Sequence, residues 1–161
     1  MRRRDREVVD PTRIEEIIAE SAVLRLGLND DGEIYVVPVN FGAEIIDGRR
    51  VFYFHSARSG RKLDVIRRNP RVGFELDAGF ELLEGPTPCA FSARYRSVVG
   101  VAVATELADA AEKRRGLTAI MNQAAGGGRD GGRAWRFDDA QLDAVAVVRL
   151  DVERLSRKEN R

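Results

Sequence analysis

The sequence predicts a mostly β (α+β) domain: a six-stranded antiparallel barrel with helices at its periphery. Three observations lead there. Runs rich in Val, Ile, Tyr and Phe dominate the middle of the chain, separated by turns of Asn, Asp and Gly. Only three segments carry a helical period, and they do not alternate with strands as βαβ units would. With 161 residues, 43% of them hydrophobic and 33% charged, the chain suits a single domain (residues 1–161) with a substantial core.

Taken in order, Asp10-Pro11 opens a helix, Asp as N-cap and Pro at the first helical position, and Ile14, Ile17 and Ile18 form its apolar stripe. "AVLRLGLNDDGEIYVVPVNFG" reads as two strands around the turn Asn29-Asp30-Asp31-Gly32. Pro38 removes a ladder donor from the second, so that strand is expected to be irregular or exposed there. After the turn Asp47-Gly48 comes a third strand, Val51 to His55. Ser59 is the expected N-cap of a helix running to Asn69, with Leu63 and Ile66 inward and Pro70 ending it. Val72 to Leu76 is the fourth strand. "AFSARYRSVVGVAVATEL" is one bent strand or two joined ones, with a bend or bulge at Gly100. Ala110 to Ala124 is a helix whose apolar side is Leu117, Ile120 and Met121. A flexible glycine-rich loop at about 125–133 and a last strand, "AVAVVRLDVERL", complete the chain.

Charge and cysteine usage exclude several classes. The 27 basic and 26 acidic side chains nearly cancel, unlike a dedicated nucleic-acid binder. "MRRRDRE" begins a basic N-terminal arm, residues 1–9, but no long apolar run follows it. Neither a signal peptide nor a membrane span is expected, and the cytoplasm is the default compartment. One cysteine, Cys89, allows no intrachain disulfide, and with one histidine the chain lacks the ligands of a familiar Cys/His zinc site. No metal site is expected.

The chemistry concentrates in Ser59-Gly60-Arg61-Lys62. A helix start offers unpaired N–H groups and a partial positive charge, Gly60 lets an anion approach, Arg61 can grip a phosphate in two places and Lys62 adds a point charge. The residues alone leave a second reading open, in which Arg61 and Lys62 are solvated charges on an exposed turn. His55, the one histidine, stands where the preceding strand ends, either hydrogen-bonded as a structural residue or bordering a site. No Gly-x-Ser-x-Gly elbow or second histidine supports a hydrolytic triad. The glycines at 126–128 and 131–132 follow no strand in the manner of a dinucleotide fingerprint. Trp135, the one tryptophan, reads from the residues as an anchor of the loop end on its own barrel.

Four blocks, "YVVPVNFG", "VFYFHSARSGRK", "RRNPRVGFE" and "ARYRSVVGVAVA", stand in register and together resemble the pyridoxamine 5′-phosphate oxidase-related FMN-binding split-barrel superfamily, most of all its nitroimidazole-resistance reductase branch. The resemblance spans about Arg2 to Leu155. It implies a split β-barrel that forms a homodimer with FMN at the subunit interface. Arg61 and Lys62 align with the pair that holds the flavin phosphate. The strand lining the isoalloxazine ring aligns with Val37 to Phe41, so Val39 and Asn40 would offer backbone groups to the ring's polar edge, and Phe41 would belong to the same cofactor-binding stretch. His55 and Ser56 align with the residues bordering the flavin, which makes His55 the candidate catalytic residue, and Trp135 is placed near the cofactor of the partner subunit. The implied activity is electron transfer from NAD(P)H through FMN to a small acceptor. The C-terminal Arg-x-His signature of true pyridoxamine phosphate oxidases is replaced by "DVERLSRKENR", which points away from vitamin B6 oxidation. A module that binds a flavin or another cofactor without turnover is the alternative.

Overall fold

The computed structural model describes residues 10–126 and 134–160; the basic arm, residues 1–9, and most of the glycine-rich loop, residues 127–133, lie outside them. Among the described residues seven strands form one antiparallel sheet: β1 (Leu24–Asp30), β2 (Glu33–Val39), β3 (Gly42–Ile46), β4 (Arg49–Ala57), β5 (Arg71–Leu83), β6 (Ser92–Glu106) and β7 (Val145–Asn160). Their order is β2-β1-β5-β6-β7-β4-β3. Four helices accompany them: α1 (Pro11–Glu20), α2 (Arg61–Arg68), α3 (Ala110–Ala124) and the short α4 (Asp139–Asp143).

The strand count corrects the expected six to seven, and the sheet is not closed, since β2 and β3 are both edges. The strand missing from the sequence reading is β3. It is only five residues long, carries Glu44 at its centre and is mostly half-buried, so it shows neither clean alternation nor an apolar run. The long run after residue 90 is a single strand, β6. Pro38 sits, exposed, opposite Arg25 on edge strand β2, where its missing N–H breaks no further ladder.

Local chemistry explains the elements. The Asp10 carboxylate accepts from the Thr12 N–H at 2.9 Å and starts α1, and Ser21 ends it with its hydroxyl on the Ile17 carbonyl. Asp109 caps α3 in the same way at Glu112. The hairpins β1–β2 and β3–β4 turn on Asp31-Gly32 and Asp47-Gly48, all four residues with positive φ, as two-residue hairpin turns require. Ser59 is not the N-cap of α2: Gly60 is, with φ 132°, a conformation side chains resist, and no side chain caps the helix.

The core has two parts. Inside the curled sheet, Phe41, Phe52 and Phe74 meet edge to face, with centroids 5.8 and 5.2 Å apart, and join the β2–β3 link to β4 and β5 across the interior. Ile17 and Ile18 of α1 plug this core at one end. On the outer face, α3 covers β3, β4 and β7, burying Leu117, Ile120, Tyr53 and Val147 together. Met121 is only half-buried, and Gly116 and Ala119 take the close positions instead.

Candidate functional site

β4 alternates, and that alternation sorts the site. Phe52 and Phe54 point into the barrel, while Val51, Tyr53 and His55 point to the outer face. Ser56 therefore shares the side of Phe54, and His55 lies on the opposite side, exposed, in register with Val147. After Ala57 the chain turns through Arg58, Ser59 and Gly60 into α2. This turn folds Lys62 back over the strand it has just left. Its ammonium sits 5.3 Å from the centroid of the buried Phe54 ring.

Lys62 is half-buried, and among the described residues no carboxylate or carbonyl is paired with its ammonium. Burial alone pushes its pKa below the ordinary lysine value, as expected when a cation loses water and gains no anion. Arg61 is in the reverse condition. Its guanidinium reaches Glu33 at 2.7 Å and Asp30 at 2.8 Å and lies 4.6 Å over the Tyr35 ring. The hydrogen bonds to Glu33 and Asp30 hold its pKa above the usual arginine value, and the same contact with Arg61 holds the Asp30 carboxyl below its own. Arg68 adds a second contact to Asp30 at 2.5 Å. Arg61 thus ties α2 to the β1–β2 hairpin, from a helix that follows β4, five positions away from β2 in the sheet order. It braces the curl of the barrel, and Lys62 is the side chain of the pair left open to an anion.

The other predicted residues separate. Val39 is buried and paired with Leu24, and the Phe41 ring is in the core at 2% exposure, so Asn40, exposed, is the one of the three that presents a side chain to the outside. Asn40 and Phe41 line a small hollow of about 380 Å³ with Ala22, Gln123 and Gly126, near the ends of α1 and α3. Trp135 is half-buried, and its indole N–H donates to Asn122 of α3 at 2.8 Å, an anchor within its own chain.

Three residues of this site escaped the sequence reading: Phe54 as the floor beneath Lys62, and Tyr35 and Glu33 as the partners of Arg61. The two-residue period of β4 could have found Phe54, because it places every second residue on one side. Nothing local points to Tyr35 or Glu33, which meet α2 only through the curl of the sheet.

An open, curled antiparallel sheet with helices at its rim, and an uncapped basic helix start beside its last inward-facing aromatic residue, is a split barrel. The chain belongs to the pyridoxamine 5′-phosphate oxidase family, whose model matches residues 10–159. Among solved structures it is similar to a candidate 5-nitroimidazole antibiotic resistance protein from Bacteroides thetaiotaomicron, at 29% identity over 94% of this chain and 85% of that one, with a TM-score of 0.78. It also shares its fold with an FAD- and haem-binding protein from Mycobacterium smegmatis, at 18% identity over 96% of this chain and 73% of that one, TM-score 0.78. A flavocytochrome from Azotobacter vinelandii matches at 19% identity over 100% of this chain and 72% of that one, with the same TM-score. No match is found among curated proteins. Among the described residues no helix is long and apolar enough to cross a membrane, and no cluster of His, Cys, Asp and Glu could hold a metal ion.

Proposed function

We propose that the chain is an FMN-dependent oxidoreductase that works as a homodimer, drawing electrons from NAD(P)H and delivering them to a small electrophilic acceptor such as a nitro compound. The observation that carries this reading is Lys62: a half-buried ammonium over Phe54, without an anionic partner among the described residues, beside a helix start that no side chain caps. A phosphate monoester fits this donor set, since it accepts from the ammonium and from backbone N–H groups of the first helical turn at once. The family and the flavin-binding proteins of like fold support the choice of flavin over other phosphates.

Each residue then has a task. Lys62 holds the phosphate, Arg61 keeps α2 docked on the β1–β2 hairpin so that Lys62 stays in place, and Ser56 offers a hydroxyl on the same side of β4. His55, on the other side, borders the acceptor. The flavin, when bound, supplies the hydride and electron chemistry, so no side chain of the chain must act as obligatory acid or base. The dimer rests on the outer face of the sheet, where Ile34 and Val36 of β2 are 83% and 58% exposed and Val99 of β6 is 41% exposed. Exposed apolar residues on an open sheet face favour burial against a second copy.

The test is the visible spectrum of the purified protein loaded with FMN, then titrated anaerobically with NADPH. Bleaching of the flavin followed by acceptor-dependent reoxidation is expected. A protein that binds FMN and stays oxidised with every nicotinamide donor is the non-catalytic flavin module instead, and failure to bind FMN at all removes the oxidoreductase reading and leaves only a module for another cofactor.

A further inference from the structure

We propose a second ligand site, at the opposite end of β4 from Lys62, that takes an organic carboxylate with an apolar body. It is built by a mismatch in strand lengths. β7 pairs with β4 only from Val145 to Asp151, yet continues beside β6 to Asn160. Past Asp151, among the described residues, its β4-side edge has no strand partner. At this point the ladder to β6 carries a bulge: Val101 opposes Arg154 and Ala102 opposes Val152, leaving Glu153 between them without an opposite residue. A bulge bends a strand and re-aims its side chains. Gly100 permits the bend, because a Cβ there would meet the Arg154 carbonyl oxygen and the Phe74 ring, each at 2.4 Å.

The result is a cleft of about 920 Å³ between the bent strand, α1 and the β3–β4 hairpin. That is the size of site that takes a drug-sized ligand. Its apolar wall comes from Ile14, Ile45, Val152 and Leu155. Its charges are unevenly satisfied. Glu15 is bound by Arg50, Asp151 by Arg149 and Glu153 by Arg71, so the carboxylates at the cleft are neutralised. Arg49 and Arg154 also line it, and among the described residues neither guanidinium has a partner. A wall of aliphatic side chains with two unpaired guanidiniums suits an amphiphilic anion: the carboxylate meets arginine, and the chain or ring replaces water on the wall. Arg49 and His55 stand six strand steps apart along β4, roughly 20 Å, so the ligand would not compete with the flavin.

Decanoate is the probe, followed by isothermal titration, with decanol as the uncharged control. Saturable decanoate binding is expected, with decanol weaker by about tenfold or more. The double substitution Arg49→Gln with Arg154→Gln should weaken decanoate by a similar factor and leave FMN loading and the melting temperature as they were, since both side chains are exposed. Ile45→Glu, at a residue 53% exposed, should also abolish decanoate binding by setting a carboxylate on the wall. Absence of saturable binding, equal affinity for decanol, or affinity unchanged in the double variant overturns the proposal. None of these outcomes touches the flavin reading, which stands or falls on FMN titration alone.

Discussion

Replacing Lys62 with Met removes the ammonium and keeps most of the side chain's length and apolar contact. A hydrogen bond from a charged donor contributes about 1.5–3 kcal/mol. At a half-buried position, about 2 kcal/mol is the fitting value, equivalent to roughly a 30-fold rise in Kd for FMN. Riboflavin lacks the phosphate and should bind wild type and Lys62→Met alike. Stability should behave differently from affinity. The free protein loses a cation–π contact with Phe54 of about 0.5–1 kcal/mol and is relieved of a desolvated charge at comparable cost, so the melting temperature should move little. The pH dependence adds a second signature. Burial lowers the pKa of Lys62 in the folded protein, so the folded state releases this proton more readily than the unfolded chain. Unliganded stability therefore gains as pH rises through the window between the lowered value and the ordinary one of 10.5. A phosphate favours the charged form, so FMN affinity should fall over that same window, and this fall should be absent in Lys62→Met. Quenching of flavin fluorescence, titrated with FMN and with riboflavin from neutral pH upward, measures all of this. Equal losses for the two flavins, or no loss for either, would refute the phosphate site at Lys62.

Four other outcomes are expected. Arg61→Ala should weaken FMN less than Lys62→Met does, because its guanidinium is already engaged by Glu33 and Asp30; a larger effect in parallel FMN titrations contradicts the bracing role. The Tyr53 hydroxyl donates to Glu44 at 3.3 Å, and burial with the nearby Glu44 charge pushes its pKa up to about 12. Folding therefore favours the neutral phenol, and the stability this contributes is intact below pH 10 and lost as pH rises toward 12; in Tyr53→Phe, urea unfolding across that range should show a smaller alkaline decline. Phe52→Ala empties the centre of the Phe41–Phe52–Phe74 cluster and should cost about 3–5 kcal/mol by denaturant unfolding, and a cost under about 1 kcal/mol contradicts the packing. Trp135 fluorescence should be quenched when FMN saturates the dimer, and emission that does not change argues for the anchor on Asn122 as its whole role.

Much of the fold was determined by the sequence itself, because the features concerned are local. Asp10-Pro11 starts a helix through a cap formed two residues away, and Asp31-Gly32 and Asp47-Gly48 turn hairpins because they tolerate positive φ. The alternation of β4 sets which of His55 and Ser56 shares the side of Phe54, whatever the rest of the chain does. The basic start of α2 was equally readable as a place for an anion. Tertiary structure decided which of its two cations is available. Arg61 meets Glu33, Asp30 and Tyr35 only because the sheet curls, bringing an element after β4 onto the β1–β2 hairpin. Lys62 is left unpaired over Phe54 by the same geometry. β3 became a strand because β4 and α3 stand on either side of it, not because its five residues favour one. The bulge at Glu153 and the cleft beside it arise from two strands of unequal length, a relation between segments about a hundred residues apart that neither segment encodes alone.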